Sequence, residues 1–166
     1  EILWRHEWRG EQPKAAQPLA VGDDRLVISA GYGVGTDAFR VAERRVEPLW
    51  TSKRLKSKFA LFVLRDGHLF GLDDGRLAGV RVVDGERAWS GAWYGHGQLL
   101  LVGDALLISA EAGFVALVDA DPAAFRERAR LPMLEGKMWN PLALAGPYLL
   151  VRTDREAACL ELPTDP

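Results

Sequence analysis

Gly97–Ser109 reads GQLLLVGDALLIS, and the same pattern returns without a gap as Gln17–Ser29 (QPLAVGDDRLVIS), Phe59–Gly71 (FALFVLRDGHLFG) and Asn140–Arg152 (NPLALAGPYLLVR). The copies start roughly forty residues apart, which is the period of a β-propeller blade. Each copy reads as two short strands around a tight turn: in the third, Leu99–Val102, the turn Gly103-Asp104, then Leu106–Ile108. Asp24, Asp66 and Asp104 share one position of the repeat, and Pro147 takes it in the fourth copy. Both residue types favour turns, Asp through side-chain capping and Pro through a preset φ. The first strands are apolar almost throughout, as inner strands with neighbours on both faces should be.

A third strand follows each copy. Asp73-Asp74-Gly75 leads into Leu77–Val83, Glu111-Ala112-Gly113 into Phe114–Asp119, and Asp154-Arg155-Glu156 into Ala157–Leu162. In the first copy an expanded turn, Gly31-Tyr32-Gly33-Val34-Gly35, precedes Phe39–Ala42. The fourth strand carries a second mark, Glu-x-x-Trp, at Glu1–Trp4, Glu47–Trp50 and Glu86–Trp89, and Glu127–Arg130 continues it with Arg in place of Trp. Two marks on one period predict an all-β chain, a β-propeller of four-stranded antiparallel blades with about four blade-equivalents. The expected boundaries are 17–50, 59–89 and 97–130 for three whole blades and 140–162 for three strands of the last. Residues 1–8 read as the outer strand of a preceding or closing blade. Because the sequence opens inside the second mark, it reads as the C-terminal part of a seven- or eight-bladed propeller. Closure on itself through Glu1–Trp8, or pairing with a second copy to complete a ring, stays open beside that reading.

With 166 residues, 48% hydrophobic and 27% charged, the chain has the composition of a globular domain. A formal net charge of −2 argues against a nucleic-acid surface, which needs a cationic excess. No apolar run approaches the roughly twenty residues that span a bilayer. Cys159 is the single cysteine, so no internal disulfide forms and no cysteine-based metal spacing exists.

Gly85-Glu86-Arg87-Ala88-Trp89, following a third strand, resembles the repeat of proteins related to pyrroloquinoline-quinone (PQQ) enzymes. In that family a motif of the form Ala-x-Asp-x-x-x-Gly-x-x-x-Trp ends a blade, and its Trp docks on the neighbouring blade. Gly85 and Trp89 match, while Gly79 and Arg81 stand where Ala and Asp are usual. The stretch Trp139–Leu162 looks like the last blade of bacterial PQQ-like repeat proteins. The resemblance implies one of two kinds of member. One is the periplasmic PQQ-dependent alcohol and sugar dehydrogenases, which hold quinone and calcium in a central funnel. The other is the non-catalytic scaffolds, such as the lipoprotein of the outer-membrane barrel-assembly machine, which bind other proteins. It also implies a periplasmic or extracellular location.

The segments just before the inner strands converge at the mouth of a propeller's central channel. They are Lys53–Lys58 (KRLKSK), Trp93–His96 (WYGH) and Lys137–Asn140 (KMWN). The candidate ligand residues are therefore Lys56, Lys58, Trp93, Tyr94, His96, Lys137, Trp139 and Asn140, offering cations, aromatics and one histidine to a small anionic or aromatic ligand or an acidic peptide. The plainer alternative is a solvated loop rim, with Trp139 packed between blades and Asn140 capping a turn. Gly31-x-Gly33-x-Gly35 lacks the helix N-terminus that a phosphate cradle requires. His6, His68 and His96 share no ligand spacing, and His68 aligns with Leu26, Leu106 and Leu149 as a half-buried strand residue. Asp73-Asp74-Gly75 and Asp119-Ala120-Asp121-Pro122 lack the alternating oxygen ligands of a calcium loop. No catalytic triad order is assignable.

The expectation is a binding scaffold without catalytic activity of its own, meeting a protein partner or small ligand at the channel mouth. No cofactor is expected, and PQQ with calcium only if further blades supply the site. The alternatives are a fragment of a PQQ-dependent dehydrogenase and a carbohydrate-binding propeller, the latter built on Trp93, Tyr94 and Trp139.

Overall fold

The computed structural model describes residues 1–163, and every regular element among them is a β-strand. Blade 1 holds β1 (Leu19–Val21), β2 (Arg25–Ala30), β3 (Gly35–Ala42) and β4 (Arg45–Ser52). Blade 2 holds β5 (Val63–Arg65), β6 (His68–Asp73), β7 (Arg76–Arg81) and β8 (Arg87–Trp93). Blade 3 holds β9 (Gln98–Val102), β10 (Ala105–Ala110), β11 (Phe114–Asp119) and β12 (Glu127–Pro132). Blade 4 holds β13 (Ala143–Ala145), β14 (Tyr148–Arg152) and β15 (Ala157–Glu161). Within each sheet the strands pair antiparallel in chain order. The chain is an all-β propeller array of three four-stranded blades and one three-stranded blade.

The register of each sheet lines up one row of side chains that faces the next blade. The rows are Leu19–Val27–Ala38–Trp50, Val63–Phe70–Gly79–Trp89, Leu100–Leu107–Leu117–Ala129 and Ala143–Leu150–Cys159. A β-bulge follows the third member of each complete row, at Ala38/Phe39, Gly79/Val80 and Leu117/Val118. The rows meet the preceding-facing residues of the next blade in three apolar cores. Val27 packs with Leu69, Phe62 and Val80 between blades 1 and 2. Phe70 and Leu72 pack with Leu106, Ile108 and Ala116 between blades 2 and 3. Leu107 and Val115 pack with Leu149 and Val151 between blades 3 and 4. Leu69, Leu106 and Ile108 are fully buried.

Two of these rows end in a tryptophan that crosses to the neighbour, as the resemblance implied. Trp50 Nε1 donates to the Val82 carbonyl at 2.9 Å, just past the end of β7. Trp89 Nε1 donates to the Asp121 carbonyl at 2.9 Å, just past the end of β11. Trp89 lies flat over its own blade's Gly79, where an added Cβ would come within 2.7 Å of the indole. That close approach explains why a residue without a side chain stands there.

Four details differ from the sequence reading. The docking position in blade 3 is Ala129, paired with Leu117, and not Arg130, whose guanidinium instead faces back over Phe114 at 4.2 Å. The ungapped repeat also slips by one residue in blade 2, where Leu69 and not His68 takes the place of Leu26, Leu106 and Leu149. The cause is turn position. Blades 3 and 4 turn through Gly103-Asp104 and Gly146-Pro147, whereas the turn of blade 2, Asp66-Gly67, falls one residue later in the repeat, with φ of 46° and 71°, the paired positive angles of a two-residue hairpin turn. The glycine-rich turn covers residues 31–34, and β3 begins at Gly35 and not at Phe39. Residues 1–18 form no strand, so the outer strand expected over Glu1–Trp8 belongs to no sheet. That segment still covers blade 1: Trp4 and His6 lie against Phe39, with ring centroids 6.0 and 5.0 Å away, and Arg9 pairs with Asp37.

The row-ending indoles carry both apolar burial and a hydrogen bond across each junction. Trp89→Ala is expected to cost about 3 kcal/mol, read as a lowered midpoint in urea unfolding, while Trp93→Ala at the exposed end of β8 changes the midpoint little.

Candidate functional site

In an antiparallel four-stranded blade, the turn between the second and third strands and the connector to the next blade emerge at the same end. Segments 31–34, 53–62, 94–97, 111–113 and 133–142 therefore gather at one end of the sheets. Their side chains form one continuous cluster. Lys58 Nζ lies 3.0 Å from His96 Nε2 and 5.1 Å from the centre of the Tyr32 ring. Phe59 contacts His96 on one side and Trp139 on the other, at centroid distances of 5.9 and 5.7 Å. Lys137 Nζ sits 4.7 Å over the Trp139 ring. Beneath them Glu111 accepts from the His96 backbone N–H and from Trp139 Nε1, both at 3.0 Å.

A buried amide holds this arrangement. Gln98, at the start of β9, is 4% exposed. Its Oε1 accepts from the Leu61 N–H at 2.9 Å, and its Nε2 donates to the carbonyls of Phe59 and Trp139 at 3.1 Å each. One side chain thus ties the connector before blade 2 to the connector before blade 4, and sets the two aromatic rings side by side. The full satisfaction of its polar atoms is what allows a buried amide here.

The eight residues singled out by sequence are not all in this cluster. Lys58, His96, Lys137 and Trp139 are, and Trp139 is exposed. Lys56 turns away to Asp73 and Asp74 at the tip of β6. Trp93 is exposed but packs over Gly75 in its own blade. Tyr94 is 2% exposed, with its hydroxyl donating to Glu127. Burial and that hydrogen bond push its phenol well above the ordinary range, so it stays protonated. Asn140 Oδ1 accepts from Arg152 Nη2 at 2.8 Å. The carbohydrate reading needed Trp93, Tyr94 and Trp139 on one surface, and a buried Tyr94 does not meet that requirement.

Tyr32, Phe59, Glu111 and Gln98 belong to the site and were not singled out. Glu111 and Tyr32 read as turn residues and Phe59 and Gln98 as repeat positions, so only the facing of separate connectors reveals them. Gly31-x-Gly33-x-Gly35 is a hairpin turn running into β3. His68 bonds locally through Nδ1 to the Asp66 carbonyl. Among the described residues no three His, Cys, Asp or Glu side chains gather in a way that fits a metal ion.

No family model matches the chain, and no curated protein matches it in sequence. Solved structures do. BamB from Moraxella catarrhalis superposes with a TM-score of 0.67 at 17% identity, over 87% of this chain and 41% of its own length. The computationally designed Ika4 protein gives a TM-score of 0.66 at 12% identity, over 98% of this chain and 99% of its own. The quinohemoprotein alcohol dehydrogenase from Comamonas testosteroni gives 0.53 at 18% identity, over 76% of this chain and 22% of its own. The chain thus spans about two fifths of the length of BamB, and identities this low establish a shared β-propeller fold and nothing finer.

The cluster has an acid limit that follows from Glu111. The His96 backbone N–H, opposed by partial burial and aided by the Trp139 indole, holds its carboxyl below the ordinary 4.5. Because the folded value lies below the unfolded one, the stabilisation is complete above about pH 4.5 and is lost as pH falls through the folded value. The fluorescence difference between the native protein and Trp139→Phe is expected to stay constant from neutral pH down to that point and to change only below it. Glu111→Gln removes that acid change.

Proposed function

We propose that this chain is a binding scaffold whose blades hold the Tyr32–Lys58–His96–Phe59–Trp139–Lys137 cluster in place for a partner carrying acidic and aromatic groups. The observation that carries the reading is the alternation of cations and rings across one turn of blade 1 and the three connectors that follow it, with Lys58 and Lys137 each set over an aromatic face. Separate carboxylates of the partner meet the two ammonium groups, and a ring from the partner stacks on Phe59 or the exposed Trp139. The sheets contribute rigidity, so little side-chain freedom is lost on binding. Catalysis forms no part of the proposal. Placement in the periplasm or outside a bacterial cell belongs to it and rests on the PQQ-like resemblance. BamB and the quinohemoprotein dehydrogenase support the fold of the scaffold, not the identity of its partner.

A labelled peptide of alternating Glu and Tyr tests the reading. Lys58→Ala and Lys137→Ala are each expected to weaken its binding by about fivefold, with a further loss on raising salt. Equal binding by a Lys58→Ala/Trp139→Ala double variant sinks the proposal. Adding quinone with calcium to the same protein separates the dehydrogenase reading, which requires a rise in melting temperature.

A second reading concerns ring completion and is supported by the last row. Leu150 is 45% exposed and Cys159 is exposed, whereas Val27 and Phe70, which stand where Leu150 does, are buried. We read this face, with the edge of β15 that pairs with no strand among the described residues, as the junction with a second copy's Glu1–Trp8 segment and blade 1. The chain is then expected to sediment as a dimer that Leu150→Lys converts to monomer; a native monomer at every concentration overturns it.

A further inference from the structure

The three complete rows end differently, and the difference has a volume. Trp50 and Trp89 close the first two junctions, standing beside Ala38 and Gly79. At the junction of blades 3 and 4 the same place holds Ala129 beside Leu117, so the large and small residues are exchanged. Leu117 does not reach as far as an indole. A cavity of about 370 Å³ lies there, walled on one side by Leu107, Leu117 and Ala129 and on the other by Leu144, Leu160 and Leu162. Among the described residues no carboxylate lines it, and Arg130 at its margin is already paired with Glu127 at 2.9 Å.

We propose that this cavity binds a free, planar, apolar molecule of indole size, seated where Trp50 and Trp89 place their rings at the other two junctions. The internal comparison identifies the ligand's chemistry. At both tryptophan junctions the ring lies between a row and the end of the next blade's third strand, and its N–H meets a carbonyl just past that strand, at Val82 or Asp121. Leu162 follows β15 as Val82 follows β7, so a bicyclic ring with one N–H finds the same kind of wall and the same kind of acceptor. The pocket is apolar and partly open to solvent, and about 370 Å³ falls within the usual range for small-molecule sites. This site is separate from the loop cluster and does not depend on it.

Indole itself is the probe, titrated into the full chain and followed through the methyl resonances of Leu144, Leu149 and Leu160. The expected result is saturable shifts confined to these residues, with a rise in melting temperature. Ala129→Trp fills the cavity with the chain's own ring and is expected to weaken indole binding at least about tenfold. Ala129→Leu is a milder filling variant and shows a partial loss, which keeps the test decisive if the larger side chain disturbs folding. Trp93→Ala, at the exposed end of β8, leaves the binding unchanged. Non-saturating shifts, shifts spread over the surface, or binding by the filling variants as tight as that of the native chain would falsify the proposal. So would methyl contacts from a second copy that persist in excess indole.

Discussion

Every junction in this chain depends on a single row of side chains, drawn across one sheet by backbone pairing and pressed against the next. Hydrogen bonds set the row, because cross-strand partners such as Val27, Ala38 and Trp50 lie opposite one another in fixed register. The repeated bulge then turns the outer strand so that its ring reaches the neighbouring blade. Apolar burial supplies most of the attraction between blades, and the indole N–H adds direction by finding a carbonyl just past the next blade's third strand. Without that alignment the apolar side chains would still seek burial, but nothing would space the blades evenly.

The loop cluster follows from this spacing. Connectors such as 53–62 and 133–142 are too long to adopt one conformation by themselves, and they are held by what lies behind them. Ser29 and Thr36 bind the connector after blade 1 through Leu55 and Ser57. Gln98 does the same for Phe59, Leu61 and Trp139 together. Buried polar groups are costly unless satisfied, so these few side chains serve as locks. The exposed rings and ammonium groups above them inherit fixed positions.

Much of the architecture was legible in the sequence. The forty-residue period, the turns at Asp66 and Gly103, and the third strands all appear where alternation and turn chemistry put them. The candidate site was legible by segment and not by residue. Position before an inner strand located Lys58, His96, Lys137 and Trp139, yet the same rule also drew in Lys56, which pairs with Asp73, and Tyr94, which enters the core. Glu111 and Gln98 gave no local signal, because each acts on residues far away in the chain.

The sequence by itself determined that blades repeat, how many strands each carries, and which stretches are turns, since these depend on local propensity and on patterns a few residues long. Only the tertiary structure decided which residue of an outer strand faces forward. Trp50, Trp89 and Ala129 are equivalent because pairing and a bulge make them so, although spacing along the chain pointed to Arg130. Strand side chains alternate faces, so a slip of one residue moves a side chain to the other side of the sheet. A bulge, or a turn set one residue later, adds such a slip without leaving a mark in the apolar pattern.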